Sequence, residues 1–377
     1  MPRKFKYYDI RDILKLYPEC QYYMVIGERS NGKTYSALDL VVENYFKTGE
    51  QFAYLRRFNL DIKPKNLKQL FAAHIENDVI SKYSGGKFNS VNYTSGRFTP
   101  RLVLPDDSET VENFEPFGFA FDLASMEHYK SISFPKVTTI IFDEFMSREG
   151  YLANEFMLFT NALSTIIRGR DNVKIIMLGN TVNKFCPYFT EMGLKHVKEQ
   201  KQGTIDLYKF GADDVDKKAL RVAVEYCSSS KSRGGKKSDV YFAFDNPQLE
   251  MITGGAWEIS IYPHLETKYR PKDVFQNFFI QFDGALLHGE LIATDSQLYC
   301  FFHPKTTPIK DETEDVVYCD RPDQRWNWKT CLTKQSDKLS ALIMKLFREN
   351  KIFYSDNETG EVVRNYMIWC DKYSFKR

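Results

Sequence analysis

Apolar residues fall into short runs through the first half of the chain, and those runs predict buried strands. Tyr22–Ile26 (YYMVI), Val137–Phe142 (VTTIIF) and Val173–Leu178 (VKIIML) are strand-length and almost wholly apolar. That pattern belongs to a parallel sheet covered on both faces. Helical periodicity follows in Thr34–Phe46 and again in Leu152–Ile167. Between residues 80 and 115, aromatic and polar residues alternate around Gly-rich turns, which reads as a β-hairpin. The pattern changes after residue 200. Asp213–Val224 reads as a charged helix, and strand-like runs follow at Asp239–Phe244, Trp257–Tyr262, Val274–Phe282, Leu286–Ala293 and Leu298–Phe302. A helix over Ser336–Arg348 and a hairpin over Ile352–Val363 complete an α+β region. The expected organisation is an α/β domain over 1–200, a linker region over 201–240 and a smaller α+β domain over 241–377.

Candidate chemistry sits at the ends of the apolar runs. Gly27-Glu28-Arg29-Ser30-Asn31-Gly32-Lys33-Thr34 is a full G-x-x-x-x-G-K-T motif, set between a strand and a helix. Gly27 and Gly32 let the backbone curl around a phosphate, and the helix N-terminus points at the anion. Lys33 can reach the β- and γ-phosphates of ATP, and the Thr34 hydroxyl can ligate Mg²⁺. Asp143-Glu144 closes the second run about 110 residues later, at the carboxyl end of a strand, where α/β sheets collect ligand chemistry. Asp143 suits the metal, and Glu144 suits the attacking water. Asn180 closes the third run, either to sense the γ-phosphate or to cap the following turn. Arg168 and Arg170 end a helical segment. Either could be an arginine finger reaching a neighbouring subunit, or a cation answering the helix dipole.

Composition narrows the class. Hydrophobic residues make up 43% and charged residues 27%, which excludes a disordered chain. No apolar run reaches the ~18 residues of a membrane span, and no signal region follows the basic start, so no membrane partner is expected. The seven cysteines form no CxxC pair, which points to a reducing cytoplasm and away from zinc or disulfide frameworks. Net charge is only +2, so nucleic-acid contacts must be local. Lys231, Arg233, Lys236 and Lys237 form the densest acid-free basic segment. They either grip DNA phosphates or keep a linker extended. Lys87 and Arg97, in the Gly-rich insertion, are the fallback grip.

These residues together resemble the DNA packaging ATPases (encapsidation proteins) of small tailed phages with protein-primed genomes. The likeness runs through Val25–Tyr35, GEQFAYLRR (Gly49–Arg57), VTTIIFDEF (Val137–Phe145), IIRGR, and LGN followed by Pro187–Phe189. The resemblance implies an additional-strand, catalytic-glutamate P-loop fold of RecA/terminase type. It implies an ATP-hydrolysing motor in a homomeric ring, a pentamer in this family, on the portal of a procapsid in the host cytoplasm. Double-stranded DNA would be the substrate, with a structural RNA as a further partner in some members. Site roles implied are Gly27 to Tyr35 for nucleotide, Thr34 and Asp143 for Mg²⁺, and Glu144 as base. Arg56 would lie near the nucleotide, and Arg168 and Lys130 would act in trans. Large terminases carry an RNase H-like nuclease in the second half. Here Asp283 precedes Gly284 and reads as a turn, while Asp295 and Asp320 show no metal pattern, so a vestigial docking fold is expected. Another DNA translocase or helicase, or a nucleotide-gated binding protein, would share the same motifs.

Overall fold

A computed structural model describes residues 7–104, 109–110, 115–148, 150–152, 154–181, 183–213, 219–228, 257, 260–295 and 297–373. The chain divides into two units, residues 1–257 and 258–377.

The first unit is built on one sheet. Its strands are β1 (Tyr22–Gly27), β2 (Gln51–Arg56), β3 (Ser90–Thr94), β4 (Arg97–Val103), β5 (Glu109–Thr110), β6 (Gly118–Asp122), β7 (Val137–Asp143), β8 (Lys174–Asn180), β9 (Thr204–Phe210) and β10 (Leu220–Tyr226). The order is β3-β4-β6-β2-β7-β8-β1-β10-β9, with β5 on β4. From β6 to β10 the neighbours are all parallel. β3, β4 and β9 are antiparallel. Alternate side chains enter two cores, as a pleated strand requires. Met24, Leu55, Ile140 and Met177 pack with Phe159, Leu163 and Ile166 of the helix Glu155–Ile167. Tyr23, Val25, Phe52 and Ile176 pack with Ile13, Leu38 and Val42 of the helices Ile10–Leu16 and Lys33–Thr48. β8 lies between β1 and β7, so one extra strand separates the phosphate loop from Asp143.

Several expectations after residue 200 are corrected. The end of the Asp213–Val224 stretch, read as a charged helix, belongs to the strand Leu220–Tyr226, which pairs with β1 on one side and β9 on the other. Its apolar Val222, Ala223 and Val224 are fully buried there, and that tertiary pairing overrides the local charge pattern. β9 and β10 therefore extend the first sheet into the 201–240 region expected to be a linker. The basic segment Lys231, Arg233, Lys236 and Lys237 and the run Asp239–Phe244 lie outside the described residues, and the described residues of Trp257–Tyr262 form no strand. The hairpin expected within 80–115 is present as β3 and β4.

The second unit has strands β11 (Val274–Phe282), β12 (Ala285–Ala293), β13 (Leu298–Pro304), β14 (Val317–Cys319), β15 (Trp328–Thr330) and β16 (Ile352–Tyr354), in the order β15-β14-β11-β12-β13-β16. β11, β12 and β13 are antiparallel, and β14 and β15 run parallel to β11. β16 runs parallel to β13 at the other edge, so both edges of the antiparallel β11–β13 meander carry parallel strands. The helix Lys338–Arg348 starts where Asp337 accepts from the Ser340 amide. The hairpin expected over Ile352–Val363 is instead β16 and the helix Asn357–Tyr373. Asp356 accepts from the Thr359 amide at 2.7 Å, a helix-starting cap within a segment that reads locally as a turn. Gly360 belongs to that helix because a Cβ there would sit 2.3 Å from the Tyr262 ring.

Asp283 and Gly284 form the tight β11–β12 turn, both with positive φ (50° and 81°). One neighbour was not anticipated. Asp320, at the end of β14, accepts from the Asp283 amide at 3.2 Å, so two carboxylates do share a strand end. A two-metal nuclease needs further converging carboxylates, and among the described residues no such cluster of three includes either aspartate. Purified protein with Mg²⁺ or Mn²⁺ is expected to leave supercoiled plasmid intact. Nicking that disappears in Asp283→Asn would overturn that. All seven cysteines are buried, and none forms a disulfide. No helix among the described residues is long and apolar enough to cross a membrane.

Candidate functional site

The ends of β1, β8 and β7 converge on a cleft of about 1120 Å³. Arg29, Ser30, Asn31, Gly32, Lys33, Thr34 and Tyr35 line it, with Asp143, Glu144 and Asn180 facing them. Gly32 has a φ of 96°, which a side chain would strain, and an added Cβ would press on Tyr7 at 3.2 Å. The Asn31 side chain accepts from the Lys33 amide at 3.2 Å, at the first turn of the helix that Gly32 opens. The Lys33 ammonium donates to the carbonyls of Gly27 and Glu28 at 3.3 and 2.7 Å, and to Asn180 Oδ1 at 3.3 Å. Gly27 and Glu28 thus hold the lysine from beneath the loop.

Thr34 Oγ1 donates to Asp143 Oδ1 at 3.2 Å, and the Tyr54 hydroxyl donates to Asp143 Oδ2 at 2.8 Å. Burial pushes the Asp143 carboxyl above its usual range, against the pull of the Arg56 charge and these hydrogen bonds. A hydroxyl and a carboxylate side by side are hard oxygen donors of the kind Mg²⁺ takes, so the pair fits that ion. Glu144 sits in a left-handed backbone conformation (φ 56°) just past β7. Its carboxylate accepts from Arg56 at 2.6 Å. Arg56, expected near the nucleotide, therefore touches the candidate base.

Tyr54 and Arg57 had no assigned role in the sequence reading. Arg57 forms a buried two-pronged pair with Glu155, at 2.8 and 2.9 Å. It also donates to the carbonyls of Glu144 and Phe145, at 3.1 and 2.7 Å. Tyr188 adds a hydrogen bond to Glu155 at 2.9 Å. Only the adjacent arginines of GEQFAYLRR signalled this, and they do not say which one turns inward. Arg57→Ala leaves the Glu155 carboxylate buried without its cation, which costs about 3–5 kcal/mol. Denaturant unfolding checks this, and a loss below about 1 kcal/mol would exclude the pair as the brace of the Glu144 turn. Tyr7, Tyr8, Asp9 and Arg11 also line the cleft. Asp9 caps the helix Ile10–Leu16, and Arg11 pairs with Asp39 at 2.5 Å and Glu43 at 2.6 Å. No local motif marks that long-range packing.

The two expected trans residues lie together, and neither lines the cleft. Arg168 is exposed at the end of its helix and donates to the carbonyls of Lys130 and Ile132 at 2.5 and 3.0 Å. The Lys130 ammonium is exposed and pairs with Glu127 at 2.6 Å. Arg170 is spent on five backbone carbonyls, those of Phe134, Pro135, Val137, Ile166 and Ile167.

Comparison with known proteins follows the same lines. The DNA packaging protein of Bacillus phage B103 is 32% identical over 173 residues, covering 45% of this chain and 47% of that protein. That of Bacillus phage phi29 is 31% identical over 168 residues, 44% of each. The chain spans about half the length of the curated relatives it matches. Among solved structures, the bacteriophage Phi-29 viral genome packaging motor assembly superposes with a TM-score of 0.54 at 21% identity, covering 95% of this chain and 96% of that one. The Phi-28 gp11 DNA packaging motor gives 0.51 at 18% identity, covering 97% and 98%. These structural likenesses show a shared fold. The model of the podovirus DNA encapsidation protein (Gp16) family matches residues 3–202, more than half of the chain, and the chain belongs to that family.

Proposed function

We propose that the chain is an ATP-hydrolysing motor subunit that drives double-stranded viral DNA into a procapsid. One observation carries the reading. Lys33, Thr34, Asp143, Glu144 and Asn180, from the ends of three adjacent strands, meet in one cleft of a chain whose relatives are DNA packaging proteins.

The geometry supports the following roles. The loop from Gly27 to Gly32 cradles the phosphates, and Lys33 neutralises the γ-phosphate. Mg²⁺, held by Thr34 and Asp143, would supply charge at the phosphate oxygens. Glu144 takes the proton of the attacking water, with Arg56 fixing its carboxylate. Asn180, already on the Lys33 ammonium, reads whether the γ-phosphate is there. Arg168 and Lys130 are exposed, adjacent and outside their own cleft, which suits residues that complete a neighbour's site. That arrangement calls for a homomeric ring, a pentamer by family resemblance, at the procapsid vertex in the host cytoplasm. The second unit serves to dock on the portal, on DNA or on a structural RNA.

The test is packaging itself. Procapsids, double-stranded DNA, this protein and ATP should yield nuclease-protected DNA, and a non-hydrolysable ATP analogue should not. Turnover without protected DNA in procapsids of the matching phage would sink the motor reading.

A further inference from the structure

The second unit carries a side-chain cluster that the nucleotide chemistry does not use. His288 and Glu290 occupy alternate positions of β12, so they share a face, and His303 of β13 lies directly opposite His288. One donor atom from each of the three lies within 4.8 Å of the others. The imidazole centroids are 4.7 Å apart, and His303 Nε2 is 3.8 Å from Glu290 Oε2. All three residues are half-buried.

Their outer partners orient them. His288 Nε2 faces Asn277 Oδ1 at 2.9 Å, so a neutral ring that donates there presents the lone pair of Nδ1. His303 Nδ1 faces the Pro304 carbonyl at 3.2 Å, which leaves the lone pair on Nε2, toward Glu290. The Tyr269 hydroxyl donates to Glu290 Oε2. Two imidazoles and a carboxylate thus lie within ligating reach of one another, and a cation between them would engage one donor atom of each. Histidines whose other N–H is held by an oxygen acceptor are how proteins aim a ring at a metal.

We propose that His288, Glu290 and His303 bind a divalent transition metal of the zinc type, with a fourth position open to solvent. Two imidazoles and a carboxylate are a zinc donor set, whereas Mg²⁺ takes oxygen ligands. The site is thus chemically distinct from Thr34 and Asp143. Donors around a tetrahedral ion with bonds of about 2.1 Å are about 3.4 Å apart, so closure draws together donor atoms that already lie within 4.8 Å of one another. The bound ion would clip β12 to β13.

The test uses the full chain without a polyhistidine tag, stripped by a chelator and titrated with Zn²⁺ and, in parallel, Co²⁺. The expected result is one ion per chain, Co²⁺ visible absorption of tetrahedral intensity that Zn²⁺ abolishes, and a higher unfolding temperature with Zn²⁺. His288→Ala, His303→Ala and Glu290→Gln should each weaken binding by about 10-fold or more. Far-UV circular dichroism checks that each variant is folded. Glu290→Gln keeps shape and the Tyr269 contact, so it decides the matter if a histidine variant fails to fold. No binding by the parent chain overturns the proposal. Equal binding by the folded variants also overturns it, since the ion would then sit elsewhere.

Discussion

Lys33→Ala is expected to remove nucleotide binding, and Glu144→Gln to keep it while turnover falls by about 10²–10⁴-fold. The two differ because the residues act on different atoms. Lys33 is buried, with its ammonium on the loop carbonyls and Asn180, and on the proposed reading it turns from them to the phosphates when nucleotide binds. Without it, the loop keeps its backbone N–H groups but loses its fixed cation. Glu144→Gln keeps the size of the side chain and a carbonyl that can accept from Arg56, and removes only the proton acceptor. Fluorescent-nucleotide titration and phosphate release measure the two effects separately. Near-parental hydrolysis by the Gln variant would remove Glu144 from the role of base.

Arg168→Ala should cost about 10³–10⁵-fold in turnover when every subunit carries it, as expected of a finger that offsets transferred phosphoryl charge. The decisive measurement mixes Arg168→Ala subunits with Glu144→Gln subunits. Each population alone is expected to be nearly inactive. At some interfaces of a mixed ring, an intact Glu144 meets an intact Arg168, and partial activity should return. Mixed rings that stay dead would place Arg168 in its own subunit's fold, where it already holds the carbonyls of Lys130 and Ile132. Arg170 is the natural control. Its five carbonyl contacts predict a loss of stability that no mixing rescues.

What could be read from the sequence was what is local. The phosphate loop, Asp143-Glu144 and Asn180 each follow an apolar run, and a buried parallel strand ends where its ligand chemistry begins. The same logic identified the Asp283-Gly284 turn, since both residues suit positive φ. Long-range pairing stayed hidden. β10 looked helical because its partners β1 and β9 are not visible in its own residues. Asp356-Asn357-Glu358-Thr359-Gly360 carries turn composition, and only the Tyr262 ring explains the glycine in a helix. Tyr54 and Arg57 reach across to Asp143, Glu144 and Glu155, about 90 to 100 positions away in sequence. No spacing rule covers such a distance. Asp320 beside Asp283 was missed for the same reason, because β14 joins β11 in space after a long excursion.

The helix Glu155–Ile167 has a consequence for timing. It spans 13 residues, which makes it a stiff rod about 20 Å long. Its first residue is clamped through Arg57 to the carbonyls flanking the Glu144 turn, and the residue after its last is Arg168. The two ends therefore cannot move independently: a tilt of about 10° at the Glu155 end swings Arg168 by about 3 Å. That displacement is enough to break or make a hydrogen bond. On the proposed reading, in which Arg168 serves a neighbouring subunit, a shift of the Glu144 turn would carry that arginine with it, like the two ends of one lever.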